Sequence, residues 1–354
     1  MIRGDTMDAL KLYGVRDIRF EQAENPVIQS ANDVIVKVRA AGICGSDISR
    51  YKLLGPYIPG MIWGHEFSGE VIEAGTAVTN VAKGDRVAGC PVVFDGEDYY
   101  YKKGEYNRSD FNTAIGAKRP GAFAEYICLP SQNLVPIPDS LSFDAAALME
   151  PSTVVLHGLY RTSLSVGDTV AVVGAGGSLG LLAIQWAKVF GAKKVIAIDI
   201  DDAKLAIAKR LGADVIINSL QEDTEAVILQ HSEGLKADLV MEAAGSPITA
   251  SQVFAYAKKG GGVVFLGIPY GDVTVKRYYF EKILRSELTV WGSWSNVSAP
   301  FPGKEWSDSV HFFAEGKINT EEIITHRLPL SKGPEVFEKL MERKELFGKV
   351  ILHP

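Results

Sequence analysis

The sequence predicts an α/β protein in which a doubly wound parallel sheet is inserted into a β-rich domain. From about residue 168 to 290, short β-branched runs alternate with longer amphipathic stretches, as expected for parallel strands joined by right-handed helical crossovers. On either side of this region, short strands and polar, glycine-rich loops predominate. The length of 354 residues and the apolar fraction of 47% suffice for two domains with substantial cores.

The parallel-sheet region contains six predicted strands and four predicted helices. The strands are Thr169–Val173, Lys194–Asp199, Asp214–Asn218, Ala237–Glu242, Gly262–Gly267 and Leu288–Trp291. The helices are Leu179–Phe190, Asp202–Leu211, Glu222–Gln230 and Ile248–Lys258. This alternation predicts a dinucleotide-binding domain over residues 156–295.

The flanking segments are expected to form one β-rich domain from residues 1–155 and 296–354. Its predicted strands before the insert are Asp33–Ala40, Glu70–Ala74, Arg86–Ala88 and Ala124–Leu129. Its predicted elements after the insert are the helix Ser307–Glu315, a strand near Thr325–Pro329, the helix Pro334–Lys344 and the strand Gly348–Leu352. We expect the last strand to return to the first domain.

Charge and cysteine content exclude several classes of protein. The 37 basic and 43 acidic residues give a net charge of −6, which argues against a nucleic-acid partner. The cysteines, Cys44, Cys90 and Cys128, are too few and odd in number for a disulfide framework. The first ten residues lack the apolar core of a signal peptide, and no apolar stretch approaches about 18 residues. A soluble cytoplasmic protein with no membrane partner is expected.

A glycine-rich loop follows the first strand of the parallel region. Gly174–Gly180 has the sequence G-A-G-G-S-L-G, opens a helix, and is followed by Asp199 at the end of the next strand. Glycine lets backbone N–H groups approach a pyrophosphate, and an aspartate at that place accepts hydrogen bonds from the adenosine ribose of NAD. The spacing has one residue more than G-x-G-x-x-G, so which glycine touches phosphate stays open. The candidate cofactor-binding residues are Gly174, Gly176, Gly177, Leu179, Gly180, Asp199 and Lys204.

Potential metal ligands lie in the β-rich domain. Cys44 lies in G-I-C-G-S-D, and His65 and Glu66 lie in G-H-E-F-S-G. Glu150 precedes Pro151 at the expected domain boundary. A thiolate, an imidazole and a carboxylate together are typical of a zinc site that keeps one position open for substrate.

The pattern G-H-E-x2-G-x5-G-x2-V at residues 64–78, preceded by C-G-S-D, resembles the zinc signature of the medium-chain dehydrogenase/reductase superfamily. Further stretches, EKILRSELTVWGSW at 281–294, FPGKEW at 301–306 and GKV at 348–350, are similar to its polyol dehydrogenases of the sorbitol and galactitol-1-phosphate type. The resemblance implies a Rossmann domain inserted into a GroES-like catalytic domain.

The resemblance also implies roles for the candidate site residues. A catalytic zinc would be held by Cys44, His65 and Glu150, with Glu66 or water alternating at a fourth position. Ser46 would lie beside the substrate oxygen and pass its proton towards solvent, and Asp47 would lie behind the zinc-binding imidazole. The reaction would be reversible oxidation of a secondary alcohol of a sugar alcohol, free or phosphorylated, to a ketose, with NAD accepting the hydride.

The sequence departs from the superfamily at a second metal site. Many members carry four cysteines that enclose a structural zinc, and the matching residues here are Asp95, Asp98, Tyr101 and Ser109. We therefore predict one zinc per chain. Asp95 and Asp98 either hold a harder ion or belong to a solvated acidic loop. Cys90 and Cys128 are predicted to be core thiols.

Substrate recognition is less constrained by the sequence. Lys118 and Arg119, in a loop that the resemblance places near the site, are candidates for binding a substrate phosphate. Trp294 and Asn296 are candidates for shaping a polyol pocket, although Trp294 is equally consistent with dimer or core packing.

Three other functions and the oligomeric state remain open. The alternatives are a zinc dehydrogenase of the threonine or butanediol type, a zinc-free quinone or enone reductase, and a non-catalytic NAD-binding sensor. A homodimer or homotetramer is expected, because the strand Leu288–Trp291 would lie at a sheet edge that can pair with a second subunit.

Overall fold

The computed structural model describes residues 4–342 and 346–354, which form two compact units. Unit 1 consists of the chain up to Glu150 together with Val297–Glu315 and Ile324–Pro354. Unit 2 consists of Pro151–Asn296 and Gly316–Ile323. The short segment 316–323, expected with the β-rich domain, thus groups with the inserted unit.

Unit 1 is rich in β-structure. Its strands are β1 (Thr6–Gly14), β2 (Asp17–Glu24), β3 (Asp33–Gly42), β4 (Met61–Ile62), β5 (Glu66–Ala74), β6 (Arg86–Gly89), β7 (Val92–Phe94), β8 (Asn112–Ala114), β9 (Tyr126–Pro130), β10 (Leu134–Pro136), β17 (Ile324–Pro329) and β18 (Lys349–His353). Its helices are α1 (Gly45–Ser49), α2 (Tyr99–Lys102), α3 (Phe143–Ala147), α10 (Lys304–Ala314) and α11 (Gly333–Glu342). The end of the predicted helix Pro334–Lys344 lies outside the described residues.

A seven-stranded sheet is the centre of unit 1. Its strands run in the order β10-β6-β5-β3-β18-β17, and β9 also pairs with β3. Alternating residues of β3, including Val34, Val36 and Val38, are buried in the main core, as expected for a strand with one face towards the interior. The C-terminal strand β18 pairs antiparallel with the end of β3, next to the segment that leads to Cys44.

Unit 2 contains a six-stranded sheet whose strands are all parallel. Its elements are α4 (Met149–Tyr160, which starts at the end of unit 1), β11 (Thr169–Val173), α5 (Ser178–Val189), β12 (Lys194–Asp199), α6 (Asp202–Arg210), β13 (Val215–Asn218), α7 (Thr224–His231), β14 (Ala237–Glu242), α8 (Pro247–Gln252), β15 (Ala257–Phe265), α9 (Arg277–Arg285) and β16 (Thr289–Gly292). The strand order is β13-β12-β11-β14-β15-β16, which is the 3-2-1-4-5-6 order of the Rossmann fold. The predicted fold class is confirmed.

Two features of unit 2 differ from the predicted elements. The predicted helix Ile248–Lys258 is wrong at its end, because Ala257 already pairs with Ala237 as the start of β15. Helix α9 was not predicted, although its Tyr279 and Ile283, four residues apart, are half-buried and pack against the core of this unit. None of the described helices is long and apolar enough to cross a membrane.

Candidate active site

Asp47 connects two of the predicted metal ligands. The backbone N–H of Cys44, the residue before helix α1, donates to Oδ2 of Asp47 at 2.9 Å. Oδ1 of Asp47 lies 3.5 Å from Nδ1 of His65, and Asp47 is only 1% exposed. A carboxylate at this place favours a proton on Nδ1 of His65, which would leave the lone pair of Nε2 for a metal.

Glu66 is held by a buried lysine. Nζ of Lys349, at the start of β18, donates to Oε1 and Oε2 of Glu66 at 2.8 and 2.6 Å and to the carbonyl of Ile43 at 3.0 Å. The two side chains are 2% and 1% exposed. Glu66 faces Gly42 across the β3–β5 pair, and a Cβ at Gly42 would lie 2.3 Å from the Glu66 carboxylate. Glycine at residue 42 therefore makes room for this ion pair.

Cys44, His65 and Glu66 form one cluster of metal-ligating side chains. One ligand atom of each lies within 4.8 Å of the other two. Sulfur, imidazole nitrogen and carboxylate oxygen are the ligand types that zinc prefers. The fold thus brings together residues that are separated along the chain by the segment that contains α1 and β4.

Glu150 lies in the first turn of α4 and is 9% exposed. Among the described residues, it is not part of the group whose ligand atoms are mutually within 4.8 Å. Burial raises the pKa of Glu150 above its usual value, with the charges of His65 and Lys349 opposing this shift and those of Glu66 and Asp47 adding to it. The carboxylate is therefore close enough to the cluster to interact with its charges.

The cluster has an excess of acidic groups. Burial opposes the charged form of His65, but the charges of Asp47 and Cys44 outweigh it and raise the imidazole pKa. Burial likewise opposes the charged form of Lys349, and the charge of Glu66 outweighs it. Buried charge of one sign is costly unless a cation compensates it. The charge and the donor set both fit a bound zinc ion.

A tight turn packs on the residue before His65. Added Cβ atoms at Gly116 and Gly121 would lie 2.5 and 2.3 Å from the carbonyl oxygen of Gly64. The backbone N–H of Ala122 donates to this same oxygen at 2.9 Å. Only residues without a side chain allow the turn to lie this close to the metal-ligand segment.

The two basic candidates of this turn differ in their surroundings. Both Lys118 and Arg119 are exposed. The guanidinium of Arg119 already forms an ion pair with Asp95. Lys118 is therefore the better candidate for contacting an anion.

Hydrogen bonds and aromatic rings organise the segment in which many superfamily members bind a structural zinc. Asp98 accepts the backbone N–H groups of Tyr101 at 2.8 Å and Asp110 at 2.9 Å, and it also bonds the Ser109 side chain. Aromatic rings pack together beside it with centroid separations of 5.0 to 5.7 Å. These rings are Phe94, Tyr101, Tyr106 and Phe301. With no thiolate among the four residues and Asp98 occupied by N–H groups, the donor set does not fit a structural zinc.

The remaining candidates have varied surroundings. Ser46 is half-buried within α1, two residues after Cys44. Trp294 is 59% exposed, which disagrees with core packing, whereas Asn296 is 1% exposed. Cys90 is buried as predicted, but Cys128 is only half-buried on β9, so its prediction as a core thiol was wrong.

The glycine-rich loop of unit 2 links β11 to α5. Added Cβ atoms would lie 2.6 Å from Ala244 at Gly174, 2.4 Å from Lys204 at Gly176 and 2.2 Å from the Gly174 carbonyl oxygen at Gly180. The fold itself therefore requires these three glycines. At Gly177, which directly precedes α5, the nearest atom would be 3.5 Å away.

The start of α5 can accept an anion. Among the described residues, no side chain caps this helix, so its first N–H groups are free for a phosphate. Ser178 and Leu179, in its first turn, are half-buried. Oδ2 of Asp199 accepts the backbone N–H of Gly176 at 2.8 Å, which ties the loop to the end of β12. The loop and Asp199 thus meet at the carboxyl edge of the sheet, where Rossmann folds bind nucleotides.

Comparison with known protein families agrees with both units. Residues 30–139 match the alcohol dehydrogenase GroES-like domain, and residues 178–315 match the zinc-binding dehydrogenase domain. The chain belongs to the zinc-dependent medium-chain dehydrogenase family. Members of this family are oxidoreductases that use a nicotinamide cofactor and a catalytic zinc.

Several relatives of this dehydrogenase act on polyols. Galactitol 1-phosphate 5-dehydrogenase of Escherichia coli (strain K12) is 34% identical over 337 residues, covering 95% of this chain and 97% of that protein. D-arabitol-phosphate dehydrogenase of Enterococcus avium is 35% identical over 318 residues, covering 88% of each chain. The crystal structure of galactitol-1-phosphate dehydrogenase from Escherichia coli superposes with a TM-score of 0.93 over 98% of this chain and 100% of that chain, at 34% identity.

Other relatives differ in substrate. L-threonine 3-dehydrogenase of Bacillus velezensis is 33% identical over 331 residues, covering 91% of this chain and 92% of that protein. The family membership of the dehydrogenase therefore defines an alcohol dehydrogenase, and the substrate has to be argued from its own residues.

Proposed function

We propose that this dehydrogenase oxidises a secondary alcohol of a sugar alcohol or sugar-alcohol phosphate reversibly to the ketose or ketose phosphate, with NAD as the cofactor. The observation that carries the proposal is the cluster of Cys44, His65 and Glu66, in which one ligand atom of each residue lies within 4.8 Å of the other two. When bound, zinc supplies a Lewis acid for the substrate hydroxyl oxygen and NAD supplies the hydride acceptor, since zinc is redox-inert.

Three residues are proposed as the permanent zinc ligands: Cys44, His65 and Glu150. Lys349 takes both carboxylate oxygens of Glu66, so Glu66 can act as a fourth ligand only when this pair opens. With the pair closed, the fourth place is open to water or substrate, as catalysis requires.

Two further side chains of the same segment are assigned to proton movement and orientation. Ser46 passes the proton of the substrate hydroxyl towards solvent. Asp47 keeps Nδ1 of His65 protonated, so that His65 serves as a ligand and not as the general base.

Recognition of a substrate phosphate is assigned to Lys118. Its ammonium group is exposed on the turn that packs against Gly64, the residue before His65. The names of two relatives, which act on galactitol 1-phosphate and D-arabitol phosphate, support an anionic substrate. Trp294 and Asn296 are assigned to the polyol pocket.

For the cofactor, we assign the pyrophosphate to the start of α5 at Gly177 and Leu179, and the adenosine ribose to Asp199. The negative charge of Asp199 would repel the additional phosphate of NADP. Lys204, whose Cβ lies against Gly176, lines the same edge of the loop.

The enzyme is proposed to act in the cytoplasm as a homodimer or homotetramer. Its three cysteines are unpaired, which agrees with a reducing compartment. Strand β16 lies at the end of the sheet in unit 2, and its Val290 is 43% exposed. Pairing with a second copy would cover this edge.

A substrate panel with NAD tests the proposal. The panel contains free polyols, polyol phosphates, L-threonine and 2,3-butanediol, and it compares wild type with Lys118→Ala and the control Lys83→Ala, an exposed lysine elsewhere in unit 1. We expect the highest kcat/KM with a polyol or polyol phosphate. For a phosphate substrate, Lys118→Ala should raise KM by about tenfold, corresponding to about 1.4 kcal/mol, whereas Lys83→Ala should not.

Three outcomes would contradict parts of the proposal. Higher turnover of L-threonine or 2,3-butanediol would overturn the polyol assignment. An unchanged ratio of phosphorylated to free polyol activity in Lys118→Ala would remove the phosphate contact. No turnover of any alcohol, despite NAD binding and bound zinc, would favour a sensor.

A further inference from the structure

Glu242 is a buried carboxylate that the proposed mechanism does not use. It ends strand β14 and is fully buried. Its partners among the described residues are N–H and O–H donors: the backbone of Ala244 at 3.1 Å, the backbone of Gly245 at 3.2 Å and the hydroxyl of Thr249 at 2.7 Å. Burial raises the pKa of Glu242, while these donors oppose the shift. The carboxylate thus binds the segment that connects β14 to α8.

This segment lies directly against the glycine-rich loop. The backbone N–H of Ala243 donates to the carbonyl of Val173 at 2.9 Å, and a Cβ at Gly174 would lie 2.6 Å from the backbone of Ala244. Any displacement of Ala244 towards Gly174 would therefore collide with the first residue of the loop.

The other side of the segment is equally confined. A Cβ at Gly267 would lie 2.2 Å from the backbone nitrogen of Gly245 and 2.6 Å from Oε2 of Glu242. The backbone N–H groups of Leu266 and Gly267 donate to the carbonyl of Glu242 at 2.9 and 3.0 Å. Residue 242 thus joins the loops that follow β11, β14 and β15.

The location of these loops gives the contacts a functional meaning. Strands β11 and β14 are neighbours at the point where the strand order of the sheet reverses. In open α/β sheets, ligands bind at the carboxyl ends of the strands at this switch point. The segment held by Glu242 forms the β14 side of that crevice, and the glycine-rich loop forms the β11 side.

We propose that Glu242 is a positioning residue for the nicotinamide cofactor, and that its carboxylate holds residues 243–249 in the shape that forms the β14 side of the crevice. Loss of the carboxylate loosens this segment, so the β14 side of the crevice loses its shape and cofactor binding weakens. The side-chain hydrogen-bond partners of Glu242 among the described residues all belong to unit 2, so we expect its loss to leave the zinc content unchanged.

The test measures NADH affinity by fluorescence titration in Glu242→Ala, Glu242→Gln and Thr249→Val. The control is Asp238→Asn at the opposite end of β14, where the carboxylate accepts the backbone N–H of Thr169 at 2.8 Å and pairs with Lys258. We expect Kd for NADH to rise about tenfold or more in Glu242→Ala, about three- to tenfold in Glu242→Gln and about threefold in Thr249→Val, and to change less than twofold in Asp238→Asn. Zinc content should remain at the wild-type value in all four variants.

Separate readouts distinguish positioning from a general structural role. At saturating alcohol, Glu242→Gln should raise KM for NAD with a smaller change in kcat, and amide hydrogen exchange should increase at residues 243–249. Should Glu242→Ala fail to fold, Glu242→Gln and Thr249→Val carry the test. Wild-type NADH affinity in both would overturn the proposal, as would an equal loss of affinity in Asp238→Asn.

Discussion

Lys349 binds both carboxylate oxygens of Glu66 in the interior of unit 1, at 2.8 and 2.6 Å. The two residues belong to strands β18 and β5, which lie on either side of β3 in the central sheet. The last strand of the chain thereby supplies the cation that balances a carboxylate of the metal cluster.

Removing this cation should destabilise the protein. Lys349→Ala leaves Glu66 buried without its counterion, so we expect the free energy of unfolding in urea to fall by about 3–5 kcal/mol. Lys332→Ala is the control, because its pair with Glu335 is exposed and should contribute about 0–1 kcal/mol. An equal decrease in the free energy of unfolding in the two variants would show that the buried pair stabilises the protein no more than an exposed one. The double variant Glu66→Gln/Lys349→Met should recover most of the stability.

Asp47 should control metal affinity through His65 and the backbone of Cys44. We expect Asp47→Ala to weaken zinc binding by about 10- to 100-fold, measured by competition with a chelator of known affinity. Asp85→Ala is a suitable control, because Asp85 accepts a backbone N–H at 2.7 Å in a turn of the same unit. Unchanged zinc affinity in Asp47→Ala would contradict the orienting role of this carboxylate.

We expect elemental analysis of dialysed protein to give one zinc ion per chain, because the carboxylate of Asp98 already accepts hydrogen bonds from the backbone N–H groups of Tyr101 and Asp110. Asp98→Ala should lower the Tm by about 2–4 °C through loss of the cap on α2 and should leave the zinc content unchanged. A second zinc ion per chain, lost in Asp98→Ala, would show that this segment binds metal.

The effect of Asp98 should depend on pH. Several hydrogen bonds hold the pKa of Asp98 below its usual value, and the one from the backbone N–H of Tyr101 has the largest effect. A carboxyl with a lowered pKa stabilises the folded state above its unfolded pKa, and this contribution is lost as the pH falls through the folded pKa. The difference in Tm between wild type and Asp98→Ala should therefore be present at pH 7 and shrink below about pH 4. A difference in Tm that does not depend on pH would show that Asp98 stabilises the protein by packing and not by its charge.

Asp199 should determine the choice between NAD and NADP. Asp199→Ala removes the charge that repels the phosphate of NADP, so the ratio of kcat/KM for NADP over NAD should rise by about tenfold or more. The variant also loses the 2.8 Å bond to Gly176, and NAD binding should weaken as well. Asp202→Ala removes a neighbouring charge that is bonded to Asn218 and Gln221 and should leave the ratio unchanged. An unaltered ratio in Asp199→Ala would place cofactor selection elsewhere.

Local sequence patterns were sufficient to predict the helices and strands that short-range residue preferences determine. The β-branched run Lys194–Asp199 forms strand β12 with the predicted bounds, because buried parallel strands require continuous apolar residues. The helix predicted up to Lys258 ended early, because strand pairing of Ala257 with Ala237 outweighed helix propensity. Helix α9 was missed although a local signal was present, because Tyr279 and Ile283 lie four residues apart and pack against the core.

The candidate site divides in the same way. Cys44, His65, Glu66 and the glycine-rich loop were identified from the sequence, since their chemistry and spacing are visible in short stretches, and the role of Asp47 was implied by the family resemblance. The role of Lys349 was not identified, although a lysine directly before the apolar run Val350, Ile351 and Leu352 was the available signal. Its partner Glu66 lies 283 residues away, and such a pairing depends on which strands become neighbours in the sheet. The sequence by itself therefore determined which chemical groups this protein has. Only the tertiary structure decided which buried charges lie next to each other, because Coulomb energies depend on distances in space and not along the chain.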